Sequence, residues 1–515
     1  MKYVFEMLDG EMWWGGSSND GTFAPYSHQT VLTRDFRTGA SNQTMPMYLS
    51  NYGRCIWSEE PFLSEIKDGC FYIEGETVVL EKFGNTLKDA YLGAMNSHFP
   101  PSGNYPEKEF FRVPQYNTWM QMTYNQTQKG VLEYAHAIIE NGFKPGIIMI
   151  DEGWQKGYGN WTFDLLKFPD PKAMIDELHA LGFKVMLWVV PYVTADGFSF
   201  IKHYGPNAPK DKEYFLRTKN KEVAIVYWWN GFGAILDFTK ECDRYYFETQ
   251  LKALMNDFGV DGFKFDGGTL ADYSVDNPIN GKADDKFTPA ERNLAWNEFG
   301  YSYAFHEYKD TFKGGGKRSI QRIRDRGHQW EGDGLSTLIP NAIAQGLLGH
   351  PFICPDMVGG GEWTYREFNI PTDQELFVRM AQCSALFPMM QFSWAPWEAL
   401  DEYHLSLVKS AHDLHVKFSD KILALVDEAY NSAEPILRSL EYNYPNCGYA
   451  SVNDSFMIGE KILVAPITVK GQTIREVPLP CGLWRGFDGN IYEGNRTISI
   501  GVTLSDLPYF EKIDN

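Results

Sequence analysis

"GVDGFKFDGG", residues 259 to 268, decides how the rest of the chain is read. Side chains alternate across a strand, so Lys264 and Asp266, two positions apart, share one face of an otherwise apolar run. The run then breaks at Gly267-Gly268. A strand that carries two charges to its C-terminal end and stops there implies a polar site at that end.

Working outward from this stretch, seven more apolar runs read as strands: "NTWMQ" (117 to 121), "GIIMID" (146 to 151), "FKVMLWVV" (183 to 190), "GAILDF" (233 to 238), "RSIQRI" (318 to 323), "FICPDM" (352 to 357) and "PMMQF" (388 to 392). Helix-like segments such as "KGVLEYAHAIIENG" (129 to 142), "PKAMIDELHALG" (171 to 182) and "LIPNAIAQGLLG" (338 to 349) separate them. Eight alternating units of this kind predict an α/β fold, a (β/α)8 TIM barrel. A doubly wound sheet is the alternative, but no Gly-x-Gly-x-x-Gly follows any of these strands.

The flanks read differently. Residues 1–106 are rich in Gly, Ser, Asn and aromatics with short alternating runs such as "CFYIEGETVVLEKF" (70 to 83), which predicts an N-terminal β-sandwich domain. The barrel is expected over 107–420, and a C-terminal β domain over 421–515, where "KILVAPITVKG" and "REVPLPCGLWRGF" return to strands and turns.

Composition narrows the function classes. The net charge of -20 disfavours nucleic acid and anionic membranes as partners, since both need basic surface. The 15% aromatic content, with 15 Trp and 29 Tyr, suits a ligand cleft. Seven scattered cysteines without a Cys-x-x-Cys pair indicate neither a zinc cluster nor a disulfide framework. "MKYVFEMLDGEMWW" has acidic residues where a secretory peptide would be apolar, so a cytoplasmic location is expected, with no metal or cofactor and with homo-oligomerisation left open. "HDLH" (412 to 415) puts two histidines on one helical face without a partner acid, a poor metal site.

In a barrel of this type chemistry sits at the C-terminal strand ends. Asp151, Asp266 and Asp356 fall at such ends, and Asp333 lies in the loop "RGHQWEGDG". Two carboxylates flanking one bond are what glycoside hydrolysis needs. Asp266 suits the nucleophile because Lys264 favours its ionised form. Asp333 suits the acid, in a Gly-bounded loop where partial desolvation beside Trp330 would favour the protonated group. Tryptophans Trp154, Trp188, Trp330 and Trp394 fall in or near predicted strand-end loops and are candidates to stack on sugar faces.

"FDLLKFPDPKAMIDELHALGFKVMLWVVPYV" (163 to 193), "AILDFT" (234 to 239), "GVDGFKFDGG" and "WEGD" (330 to 333), in that order, resemble glycoside hydrolase family 31, the retaining α-glycosidases. The resemblance implies a barrel between β domains, Asp266 as nucleophile and Asp333 as acid/base, acting on a small-molecule carbohydrate. "RDRGHQWEGDGLSTLIP" and "GHPFICPDMVGGGEW" look most like the branch containing α-galactosidases, in which a Lys two before the nucleophile binds the sugar; this gives Lys264 a role and makes α-galactosides the expected substrates. α-N-Acetylgalactosaminides, α-glucosides and α-xylosides are the alternatives, and a non-catalytic sugar-binding barrel or a metal-dependent barrel enzyme the rivals. Among Arg318, Arg322 and Arg326, Arg326 is favoured as the family's sugar-binding arginine. The N-terminal domain is shorter than is usual for the family, so the loops it lends to the active site are expected to differ.

Overall fold

The computed structural model describes residues 1–39, 42–209, 212–368 and 370–513. At its centre nine short parallel strands form one sheet. In chain order they are Gln115–Asn117, Ile147–Ile150, Lys184–Val189, Gly262–Phe265, Phe305–Tyr308, Ile320–Arg322, Ile353–Cys354, Met357–Val358 and Gln391–Phe392. Ile353–Cys354 and Met357–Val358 are two pieces of one strand, interrupted at Pro355 and at Asp356, whose φ is 71°. The first piece pairs Gln321 with Ile353 and the second pairs Met357 with Gln391, while Gln391 also pairs Gln115; the ring therefore closes on eight positions. This is the (β/α)8 barrel. Helices such as Gln128–Glu140, Pro171–Ala180 and Gln374–Ala385 cover it. Their starts are set locally: Asp170 accepts from Ala173 N and is followed by a proline in the first turn, the usual N-terminal signature.

Three strand expectations need correction. "NTWMQ" begins where the first strand ends, and Trp119–Met122 is a helical turn. "GAILDF" is not a barrel strand. Its apolar residues Ala234, Ile235, Leu236 and Phe238 are buried, but Gly231–Ile235 runs antiparallel between Tyr192–Thr194 and Ile225–Trp228 in a separate three-stranded sheet. This excursion lies between the third and fourth barrel strands of the chain. The strand it displaced from the count is Phe305–Tyr308, "FHEY", in which His306 and Glu307 are fully buried. A four-residue run with two polar members carries no apolar signature, so periodicity passes over it.

The N-terminal region is two sheets. Lys2–Glu6, Cys70–Glu74, Leu63–Lys67 and Leu32–Asp35 form one, and Trp13–Ser17, Gln43–Ser50, Arg54–Trp57 and Val79–Lys82 the core of the other. Trp13, Tyr26, Tyr48, Phe62 and Phe71 fill the space between them. The second sheet is continued by Thr311–Phe312 from the barrel, pairing parallel to Gln43 and Thr44. Nearby, Asn42 Nδ2 donates to Lys309 O at 2.9 Å and Gln43 Nε2 to Arg322 O at 3.0 Å. The sandwich thus props the ends of the fifth and sixth barrel strands. A 31-residue helix, Glu402–Ser432, runs across position 420 and leads to the C-terminal sheets, whose core includes Met457, Leu463, Trp484 and Phe510.

Candidate active site

Trp188, Lys264 and Glu307 occupy matching positions on three adjacent barrel strands. Each strand ends within a few residues, which brings Asp266 and Lys309 to the same rim. Lys264 Nζ bonds Asp151 Oδ2 at 2.8 Å and lies 3.9 Å from Asp266 Oδ2. Asp151 Oδ2 also accepts from Asn117 Nδ2 at 2.8 Å. Asp266 is fixed from two sides: Trp188 Nε1 donates to Oδ2 at 3.0 Å and Gly267 N to Oδ1 at 2.9 Å.

The two glycines after Asp266 have a packing reason. Gly267 (φ 61°) and Gly268 (φ 64°) are left-handed, and a Cβ would come within 2.5 Å of the Tyr192 ring and 2.7 Å of the Trp296 ring. They let the chain turn sharply under two aromatic side chains, which leaves Asp266 at the mouth.

Two compartments meet at this carboxylate. An inner one of about 290 Å³ is lined by Asp151, Glu152, Trp188, Lys264 and Arg322, with Trp119, Tyr124 and Trp363 as an aromatic wall. An outer one of about 360 Å³ is lined by Gly267, Thr269, Asp310 and Arg324, with Asn19 and Asn42 from the N-terminal region. Asp266, Lys309, Asp325, Trp229 and Glu362 border both. The short N-terminal region therefore still reaches the mouth of the barrel.

Charges around Asp266 decide its protonation. Burial raises the Asp266 carboxyl, but Lys309, Lys264 and Arg322 more than offset this and hold it below the ordinary aspartate range. Asp325 is treated likewise: burial opposes ionisation, and Lys309 and Arg322 overcome it. Arg322 Nη1 pairs with Asp325 Oδ1 at 3.0 Å and with Asp356 Oδ1 at 2.8 Å, and Lys309 Nζ holds the other Asp325 oxygen. Glu307 lies beneath, fully buried, with Arg322 Nε 3.4 Å from Oε1. Glu152 contrasts with these carboxylates. Among the described residues it has no cation against it, and burial pushes its carboxyl up to about 7 despite hydrogen bonds from Tyr158 and Trp229.

Among the residues singled out from the sequence, Asp151, Trp188, Lys264 and Asp266 line the inner compartment. The others are placed elsewhere. Trp154 is fully buried, donates to Trp188 O and packs on Phe163. Asp356 sits below the floor as the partner of Arg322. Trp394 packs against His328 and Phe377. Trp330 donates to Asp373, and its neighbour Asp333 is 57% exposed, so the desolvated setting expected there is absent. Asp333 is instead paired with Arg324 at 3.0 Å, one ion pair away from the outer compartment. Of the three arginines, Arg322 enters the inner compartment. Arg326 is buried against backbone carbonyls of Arg324 and Thr337, and Arg318 pairs with Glu107.

Sequence reasoning missed Glu152, Lys309 and Asp325, and named Arg322 only as an alternative to Arg326. The signal for Lys309 was available, since it follows Phe305–Tyr308 just as Asp266 follows Gly262–Phe265, but that strand was unread. Arg322 and Asp325 lay within a quoted segment whose register only the strand's true start at Ile320 fixes.

A family model described as the glycosyl hydrolases family 31 TIM-barrel domain matches residues 114–411, and one for the family 31 C-terminal domain matches 433–514. The chain belongs to glycoside hydrolase family 31. Among family 31 relatives, the mouse (Mus musculus) myogenesis-regulating glycosidase is 31% identical over 444 residues, covering 83% of this chain and 60% of that protein. Alpha-glucosidase 2 of Bacillus thermoamyloliquefaciens is 27% identical over 412 residues, 75% of this chain and 51% of that enzyme. The structure of the family 31 dextranase of Flavobacterium johnsoniae with isomaltotriose superposes with a TM-score of 0.84 at 18% identity, over 99% of this chain and 66% of that one, which shows the shared fold. The chain thus spans little more than half the length of these two curated relatives. The α-galactosidase-like branch expected from the sequence is not what these comparisons bring out; the named glucosidase favours one of its alternatives.

Proposed function

We propose that the protein is a retaining, exo-acting α-glycosidase. The observation that carries this is Asp266, held ionised by three cations at the point where an inner compartment with room for one sugar meets an outer one suited to a leaving group. An Asp266 oxygen attacks the anomeric carbon while the bond to the leaving oxygen breaks and that oxygen takes a proton from Asp333. Water, giving a proton back to Asp333, then attacks the glycosyl ester and frees both the sugar and Asp266. Asp333 is assigned by the family motif alone; its ion-pair partner Arg324 borders the outer compartment, so release of that pair is part of the proposed step.

For the sugar, the activity named for the Bacillus relative supports α-glucosides. A second reading, α-galactosides, is favoured by the Lys264–Asp151 pair beside the nucleophile, which suits a hydroxyl that both accepts and donates. A panel of nitrophenyl α-glycosides covering glucose, galactose, N-acetylgalactosamine and xylose tests both. Preference for the glucoside supports the first reading and preference for the galactoside the second; preference for the xyloside or the N-acetylgalactosaminide rejects both, and hydrolysis of none rejects the glycosidase assignment.

A further inference from the structure

Among the described residues no cation pairs with two carboxylates of the inner compartment, Glu152 and Glu362, and of these Glu152 is the buried one, 3% exposed. All its side-chain partners are donors. Tyr158 Oη donates to Oε1 at 2.6 Å, Asn230 Nδ2 donates to the same oxygen, and Trp229 Nε1 donates to Oε2 at 3.2 Å. A carboxylate offers about four acceptor positions. Three are filled from the protein, and the remaining one belongs to a side chain that borders the sugar compartment.

The donors come from two separate segments. Tyr158 follows the second barrel strand, whereas Trp229 and Asn230 form the turn between Ile225–Trp228 and Gly231–Ile235. The excursion is thereby anchored to the barrel through Glu152, and Trp229, which borders both compartments, is set at the junction between them. Asp151 and Glu152 are consecutive, so two acceptors stand side by side, one shared with Lys264 and the other not.

We infer that Glu152 is a specificity-determining residue, accepting a hydrogen bond from a hydroxyl of the bound sugar other than the one read by Asp151 and Lys264. This rests on the glycosidase reading and deepens it: the enzyme selects sugars that present two hydroxyl groups to adjacent carboxylates. A ligand lacking the second hydroxyl leaves Glu152 under-bonded in a buried site, a mismatch that sites of this kind reject strongly.

The test compares wild type with Glu152→Ala and Glu152→Gln on the best nitrophenyl glycoside of the panel and on its monodeoxy analogues. Glutamine retains the shape but turns an NH2 toward neighbours that are all donors, so it serves as a second variant should alanine fail to fold. The expected result is a loss in kcat/KM on the order of 100-fold on the parent sugar, with variant and wild type converging on one monodeoxy analogue. Asn230→Ala, which loosens the excursion but leaves the carboxylate, should lower all analogues alike. A Glu152 loss of the same factor on the parent and on every analogue would overturn the inference and leave Glu152 as an anchor for the excursion only. If wild type hydrolyses no glycoside, the glycosidase reading fails, and the contact is read by calorimetry with the free parent sugars and their deoxy forms: convergence of the variants with wild type on one analogue supports it, and uniform weakening or no binding rejects it.

Discussion

Asp266 and Asp333, the two carboxylates paired from the sequence as nucleophile and acid, stand in opposite environments. Asp266 is 9% exposed, at the end of a barrel strand, bonded by an indole and a backbone amide and surrounded by Lys264, Lys309 and Arg322. Asp333 is 57% exposed on a loop and held by one ion pair to an arginine that is itself 39% exposed. An exposed pair of that sort contributes little, about 0 to 1 kcal/mol. The nucleophile must be ionised and fixed before substrate arrives, which a rigid strand end provides. The proton carrier has to serve both a departing oxygen and an incoming water, and a loop secured by one weak pair is free to do so. On the proposed roles, the difference teaches that fixed geometry falls to the carboxylate that would form the covalent bond.

The comparison breaks most readily by exchanging each carboxylate for its amide. Asp266→Asn should lower kcat by about 10⁴-fold or more on every substrate, because an amide cannot take the nucleophile's part. Asp333→Asn should cost about 10² to 10⁴ on an alkyl glycoside and far less on a nitrophenyl one, whose leaving group needs no proton. Equal losses on both leaving groups would remove the acid role from Asp333. A smaller effect sharpens the electrostatic half of the contrast. Lys309→Met removes the leading cation beside Asp266, so the Asp266 carboxyl should rise and the acid limb of the kcat/KM profile should move to higher pH, with a loss of roughly 10-fold or more at neutral pH. An unmoved limb would mean that Lys309 acts through Asp325 alone. The smallest effect concerns stability. Burial raises the folded-state carboxyl of Glu152 to about 7 from an ordinary 4.5. Its contribution to stability is therefore complete below about pH 4.5 and is lost as pH rises through 7. Glu152→Gln should flatten the dependence of Tm on pH between about 4.5 and 7; an unchanged slope would place that titration elsewhere.

Much of this site was legible where a charge follows an apolar strand. Asp151, Lys264 and Asp266 stand out against "GIIMI" and "GFKF" because the strand fixes which way they point. The same signal at Lys309 went unread because its strand, "FHEY", buries His306 on carbonyls of Tyr303 and Arg318 and Glu307 against Arg322. Those partners lie outside the four-residue strand, and an alternation of apolar residues does not reveal them. "GAILDF" failed for the complementary reason: its residues are as buried as a barrel strand, yet they cover the excursion. The tryptophans show the limit of composition. Trp188, Trp229 and Trp363 line the inner compartment, whereas Trp154 and Trp161 are fully buried core, and only packing separates the two groups.

The central claim is that Asp266 forms a covalent bond to the sugar, and chemical trapping tests it most directly. The 2-deoxy-2-fluoro derivative of the best sugar in the panel, carrying an activated leaving group, slows breakdown of a glycosyl-enzyme ester more than its formation. After brief incubation, proteolysis and mass spectrometry, the peptide containing residues 259 to 268 should gain the mass of one fluorosugar at Asp266, and the Asp266→Asn protein should gain none. A fluorosugar on any other residue, or substrate turnover with no adduct and a β anomer released first, would contradict the account.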